Sequence, residues 1–365
     1  MRIAFYGSSL VSSYWNGAAT YYRGLLQALA AHGHDITFYE PDAYDRQSHR
    51  DIEPPDWATS VVWPATEAGL RDVVAHASLA DVVVKASGVG VFDAELLEMT
   101  MRHARPDALR VFWDVDAPAT LAELDADPSH PLHRVLPTLD HVMTYGGGDP
   151  VVRAYRGFGA RSCVPVYNAL DPATHRPAPP DARYAADFSL LANRLPDREA
   201  RVEAFFLRAA VLLPDRKFVL GGSGWHDKPM PPNVTAIGHV PTALHNVFNT
   251  SAIAVLNVAR DSMAAVGFSP ATRVFEAAGA GACIITDAWE GIDQFLEPGA
   301  EILVAHDGAE VAALLRALTP ERARAIGEAA RVRVLRDHTY ESRAVLVNRL
   351  LRESLARKRK PALVA

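Results

Sequence analysis

The chain has 365 residues, 49% hydrophobic and 22% charged, with a formal net charge of −6 at pH 7. That balance supports real cores and, by length, two domains. It excludes a counterion-driven grip on nucleic acid, which needs basic surface, although local basic clusters can still hold small anions.

Met1–Gly7 begins directly as a strand, with no charged lead or cleavage site. No stretch approaches the roughly 18 continuous apolar residues that a membrane span needs, so a cytoplasmic protein without an integral membrane segment is expected. Apolar strands then alternate with helix-period segments: Arg2–Tyr6, a helix at Gly17–Ala31, Ile36–Tyr39, Ser60–Trp63, a helix at Glu67–Ala77, Asp81–Lys85, a helix at Asp93–Arg102, Leu109–Trp113, His141–Tyr145 and Cys163–Tyr167. Continuous apolar strands joined by crossover helices imply a parallel sheet covered on both faces. The Pro-rich interval Pro172–Pro180 interrupts the pattern as a linker.

The alternation restarts with Phe188–Ala192, a helix at Arg198–Leu213, and strands at Lys217–Leu220, Val234–Ile237, Ile253–Val258, Cys283–Thr286 and Glu301–Ala305. Helices at Pro320–Arg336 and Tyr340–Leu355 end the chain. The expected fold class is α/β, two Rossmann-like doubly wound domains (1–170 and 171–339) facing an inter-domain cleft, plus a terminal helix over 340–357. Ligands of such sheets bind at the carboxyl ends of the strands. The basic run Arg357-Lys358-Arg359-Lys360 reads as a solvated, frayed terminus or as a weak peripheral contact with an anionic membrane. Cys163 and Cys283 lie in apolar runs as buried structural thiols.

Several motifs fall at strand ends. Gly7-Ser8-Ser9 and Asn16-Gly17 flank the first helix start as a plain turn or a substrate-contacting loop; the spacing for a dinucleotide is missing. Lys85 ends an apolar strand as a cleft candidate. Asp114-Val115-Asp116 could be read as a metal pair, but an acceptor-side or general-base role for one aspartate is favoured. Asn193 and Arg194 follow a strand, where a guanidinium can hold a diphosphate, and Gly222-Ser223-Gly224 follow the next with backbone N–H groups for a ligand. In Gly267–Gly281, Ser269 and Thr272 lie at a helix start. Arg273 and Glu276, three apart, are either a local ion pair or a phosphate and ribose grip. The histidines show no metal-ligand spacing, His239 beside Gly238 set apart.

Gly267–Gly281 followed by Cys283–Asp287 resembles the donor-binding segment of GT-B glycosyltransferases, nearest the group related to the spore maturation protein CgeB. Leu191–Arg194, Phe295–Val304, His338–Arg343 and the N-terminal strand, helix and Gly33-His34 stretch fit in order, most specifically over 185–343. The resemblance implies a GT-B architecture and a nucleoside-diphosphate sugar as co-substrate, with no other cofactor and no catalytic metal. It implies Glu276 on the donor ribose, Arg194 on the departing diphosphate, and a last helix that crosses back to the first domain. Phe268 departs from the commoner retaining pattern, which has a second glutamate there. The set expected to work together is Arg194, Arg273 and Asp116 for catalysis. Asn193, Gly222, Ser223, Gly224, Ser269, Thr272 and Glu276 would serve the donor, and Asn16, Gly17, Lys85 and Asp114 an acceptor (glycan, protein or small molecule). The alternatives are a sugar-nucleotide epimerase and a non-catalytic sugar-nucleotide-binding or surface-assembly protein.

Overall fold

A computed structural model describes residues 1–14 and 16–360. The chain forms two units, one of Met1–Tyr167 completed by the segment from Tyr340 onward, the other Asn168–Thr339.

In the first unit the strands are β1 (Arg2–Tyr6), β2 (Asp35–Asp42), β3 (Thr59–Pro64), β4 (Val82–Ala86), β5 (Leu109–Asp114), β6 (His141–Thr144) and β7 (Cys163–Pro165). They pair in parallel in the order β3-β2-β1-β4-β5-β6-β7. Val82, Val83 and Val84 are all buried, because helices cover both faces of the sheet; that is why β4 reads as an unbroken apolar run. Phe5 stacks on Phe38 with ring centroids 5.3 Å apart. The buried Trp113 indole donates to Tyr21, whose hydroxyl donates to the Val166 carbonyl. Both cysteines are buried, and burial pushes each thiol up to about 12.

The helix Tyr340–Arg359 packs on the helix Ala19–Ala31 of this unit. Gly24 makes the approach possible, since a Cβ there would lie 2.1 Å from the Tyr340 ring. The basic end of this helix is not frayed, since the helix runs to Arg359. Lys358 bonds Asp140 at 2.6 Å and Arg359 bonds Asp81 at 2.7 Å, so these charges are spent on carboxylates at the entries to strands.

The second unit holds β8 (Ala186–Leu191), β9 (Phe218–Gly221), β10 (Val234–Gly238), β11 (Ala252–Asn257), β12 (Ile284–Asp287) and β13 (Leu303–Ala305) in the parallel order β10-β9-β8-β11-β12-β13. The order reverses at β8 and β11, a switch point of the kind at which such sheets bind ligands. Phe188, Phe206 and Phe218 form its aromatic centre. The helix expected over 198–213 has three parts: Pro196–Val202, a π turn at Glu203–Leu207, and Arg208–Leu212. Phe205, Phe206 and Leu207 are buried in succession, which the wider turn accommodates. The Pro-rich interval lies within this unit.

Asp81 offers a test of the terminal helix's anchorage. Partial burial would raise its carboxyl, but the Arg2 backbone N–H and Arg359 hold it down at about 2, against an ordinary 3.8. A lowered folded pKa gives stability that is present above the ordinary value and lost as pH falls through the folded one. Asp81→Asn should therefore lower the Tm at pH 7, and parent and variant should converge as pH falls to about 2.

Candidate active site

The carboxyl ends of β8 and β9 lead into two loops that lock together. The Ser223 N–H donates to Asn193 Oδ1, the Arg194 N–H to the Ser223 carbonyl, and the Trp225 indole to the Ala192 carbonyl. Gly222 has φ +125, and a Cβ on it would lie 2.0 Å from the Ala192 carbonyl oxygen. No other residue fits there without displacing backbone. The N–H groups of Gly222 and Ser223, expected to face a ligand, are committed to Gly238 O and Asn193 Oδ1. Arg194 lies over the Trp225 ring, with Nη1 2.8 Å from Asp227 and Nη2 2.7 Å from Glu199. Asn193, Arg194, Gly222, Ser223 and Gly224 thus form one cluster.

The second cluster follows β11. Gly267 and Phe268 both have positive φ (+75 and +48), and the Phe268 N–H donates to Glu290 O at 2.7 Å. A left-handed phenylalanine is strained; Gly291 makes room for its ring, since a Cβ there would meet Phe268 at 2.1 Å. This kink sets up the helix Thr272–Gly279, whose start carries no side-chain cap. Such a start leaves backbone N–H groups for an anion. Ser269 spends its hydroxyl on Gly267 O. The helix joins β11 to β12, so in a parallel sheet its N-terminus lies at the carboxyl edge, on the side where β11 ends.

Glu276 is only 7% exposed and lies 3.9 Å from Arg273 through Oε2 and 3.8 Å from His175 Nε2 through Oε1. Burial alone would raise its carboxyl; the Arg273 charge is the chief influence against this, and the carboxyl stays below the ordinary range. Gly279 lets the His175 segment pack close to the helix: a Cβ there would lie 2.3 Å from Leu170 Cδ1 and 3.0 Å from the His175 carbonyl oxygen. Asn246 clamps the same segment, donating to Thr174 O and accepting from the Arg176 N–H. The geometry thus joins His175 and His245 to Glu276, and neither showed ligand spacing in sequence because the three lie on separate elements. Asp287, also unanticipated, is fully buried at the end of β12; it takes Arg201 at 2.5 Å and the Ala259 N–H.

The acceptor-side candidates are placed differently from expectation. Asp114 is fully buried, and its carboxylate accepts from Ser87, Thr120, Tyr155 and the Asp116 N–H. Burial raises its pKa against those donors. It holds the strand-end loop together and offers no open carboxylate to a metal or an acceptor. Lys85 is buried and spent on Asp93. Asn16 accepts from the Ser8 hydroxyl and donates to Ser9 O and Ser12 O, so it staples the loop. Gly17 is exposed, and Asp116 precedes the helix Ala117–Ala126.

Residues 198–349 match the family described as Glycosyl transferase-like. Among solved structures, sucrose-phosphate synthase from Thermosynechococcus elongatus is similar with a TM-score of 0.74 at 16% identity, over 98% of this chain and 100% of that one. Anabaena HepE in complex with UDP and glucose gives 0.67 at 13%, over 97% and 100%. AviGT4, a glycosyltransferase involved in avilamycin A biosynthesis, gives 0.58 at 18%, over 98% of each chain. No curated protein matches the chain in sequence. The fold is GT-B, α/β with two Rossmann-like domains, and the enzyme class is glycosyltransferase. Among the described residues no helix is long and apolar enough to cross a membrane.

Removing Arg273 leaves a buried carboxylate without its countercharge. Arg273→Met should cost about 2 kcal/mol at neutral pH, less than for a fully buried pair because Arg273 is partly exposed. Adding Glu276→Gln should restore most of that loss in urea unfolding. Full additivity of the two changes would show that the charges do not interact.

Proposed function

We propose that the chain transfers a sugar from a nucleoside-diphosphate sugar, with UDP as the first candidate, to a hydroxyl-bearing acceptor without a metal on the diphosphate. The observation that carries this reading is the Thr272–Gly279 helix, which presents Arg273 and Glu276 beside an uncapped N-terminus at the carboxyl edge of the sheet. Glu276 accepts the ribose hydroxyls, as a carboxylate held in its charged form does well. The helix start and Arg273 face the diphosphate, where positive charge stabilises the leaving group as its bond to the sugar breaks. Complexes of HepE with UDP and with UDP-glucose support a uridine donor here. The stretches shared with the CgeB-related group support a place near it, and a cytoplasmic setting is part of the same reading.

Arg194 enters differently. Its guanidinium is already held by Glu199 and Asp227, so it helps the diphosphate only by exchanging those partners for phosphate oxygens. If it does not exchange, the chain binds nucleotide without turning it over, which is the second reading that the two carboxylates favour. Asp116 remains the candidate acceptor-side base.

A thermal-shift series with UDP, GDP, TDP, CDP, ADP, NAD and NADP, with and without EDTA, separates these readings. Ligand at 100 times its Kd stabilises the native state by about 2.7 kcal/mol. A rise in Tm with UDP, indifferent to EDTA and lost in Glu276→Gln, is expected. A rise with NAD alone, or with none, would overturn the donor assignment. With a donor in hand, Arg194→Ala should lower kcat about a hundredfold; unchanged turnover would remove Arg194 from catalysis.

A further inference from the structure

His175, His245 and Glu276 bring one ligand atom each to within 4.8 Å of one another, and the hydrogen bonds around them fix what those atoms can do. The Thr174 hydroxyl lies 3.0 Å from Asp171 Oδ2, which can only accept. Thr174 Oγ1 must therefore accept from His175 Nδ1, 3.0 Å away. In the neutral ring that leaves His175 Nε2 as a bare lone pair, buried and with no hydrogen-bond partner. His245 repeats the arrangement: its Nε2 lies 3.2 Å from the Val240 carbonyl, an acceptor, so Nε2 carries the proton and Nδ1 is the lone pair. Nδ1 also has no partner.

Three electron-pair donors therefore converge with no proton among them. A water molecule has two protons and can satisfy two of the three; a metal cation satisfies all three. We propose that His175 Nε2, His245 Nδ1 and Glu276 Oε1 form a binding site for a divalent transition-metal ion of the zinc type. Imidazole nitrogens select such ions over magnesium and calcium, which favour all-oxygen ligands. Each imidazole already donates its other N–H to an oxygen, as metal-binding histidines do, and this fixes the ring and its tautomer. Asn246 holds the His175 segment from the residue next to His245, so the two rings are positioned together. Arg273 faces Oε2, the other carboxylate oxygen. Its charge holds the affinity below that of a structural zinc site.

The site shares Glu276 with the proposed ribose contact, so the ion and the donor nucleotide compete. This competition rests on the donor reading; the metal site itself does not. The full-length protein, stripped with EDTA and returned to chelator-free buffer, would be titrated calorimetrically with ZnCl2. Co²⁺ would serve as the spectroscopic probe. One tight equivalent and Co²⁺ absorption typical of four-coordinate nitrogen and oxygen ligation are expected. His175→Ala and His245→Ala should each weaken binding about a hundredfold, and Thr174→Val, which removes only the orienting oxygen, about tenfold; circular dichroism checks the fold of each. Binding that is absent, or unchanged in both histidine variants, would overturn the site and assign the metal to surface histidines. A UDP titration with and without one equivalent of Zn²⁺ then reads the competition. Weaker UDP binding with zinc supports the shared carboxylate, and equal binding overturns it. Failure of UDP to bind the metal-free protein would sink the donor reading while leaving the zinc result standing.

Discussion

A parallel strand cannot pair with its successor until the chain has been carried back across the sheet. Both units of this protein obey that constraint throughout their described strands. The return helices cover the two faces and bury Val82–Val84 or Phe188 and Phe218 completely. Chemistry is left to the loops at strand ends, and every polar cluster of the candidate site lies on such a loop or on the helix that follows one.

Three buried carboxylates at these edges are handled in three ways. Asp114 is surrounded by neutral donors, and burial still raises it. Asp287 has a guanidinium and a backbone N–H, and it too is raised. Glu276 alone among them is lowered, chiefly by the Arg273 charge 3.9 Å away, too distant for a hydrogen bond. The first two are satisfied internally and serve architecture. The third is kept ionised without being saturated, which is the condition a ligand-binding carboxylate needs.

The strands were legible because a sheet covered on both faces demands continuous apolar runs, and β4 and β11 show them plainly. The Arg273–Glu276 pair was legible because helix geometry makes neighbours of residues three apart. What lay beyond the sequence was partnership over distance. Nothing in local pattern says that Lys358 will meet Asp140, or that the apparently functional Lys85 and Asp114 will be consumed by Asp93 and Tyr155. His175 sits in a Pro-rich stretch that reads as linker, and His245 begins a helix of six residues, Thr250 its last. Nor does local pattern say that Leu170 and the His175 backbone will pack against the helix at Gly279.

The first unit is made of two stretches of chain with the whole second unit inserted between them. On the ribosome, the face of the Ala19–Ala31 helix that will receive Tyr340 is synthesised early and its cover last. At about 5–20 residues per second, the nascent first unit waits roughly ten to forty seconds with that apolar seam bare. During that interval the second unit, continuous in sequence, can fold by itself. Assembly therefore ends with the terminal helix docking against Gly24, and an interrupted translation product lacking that helix would present the uncovered seam to chaperones and proteases.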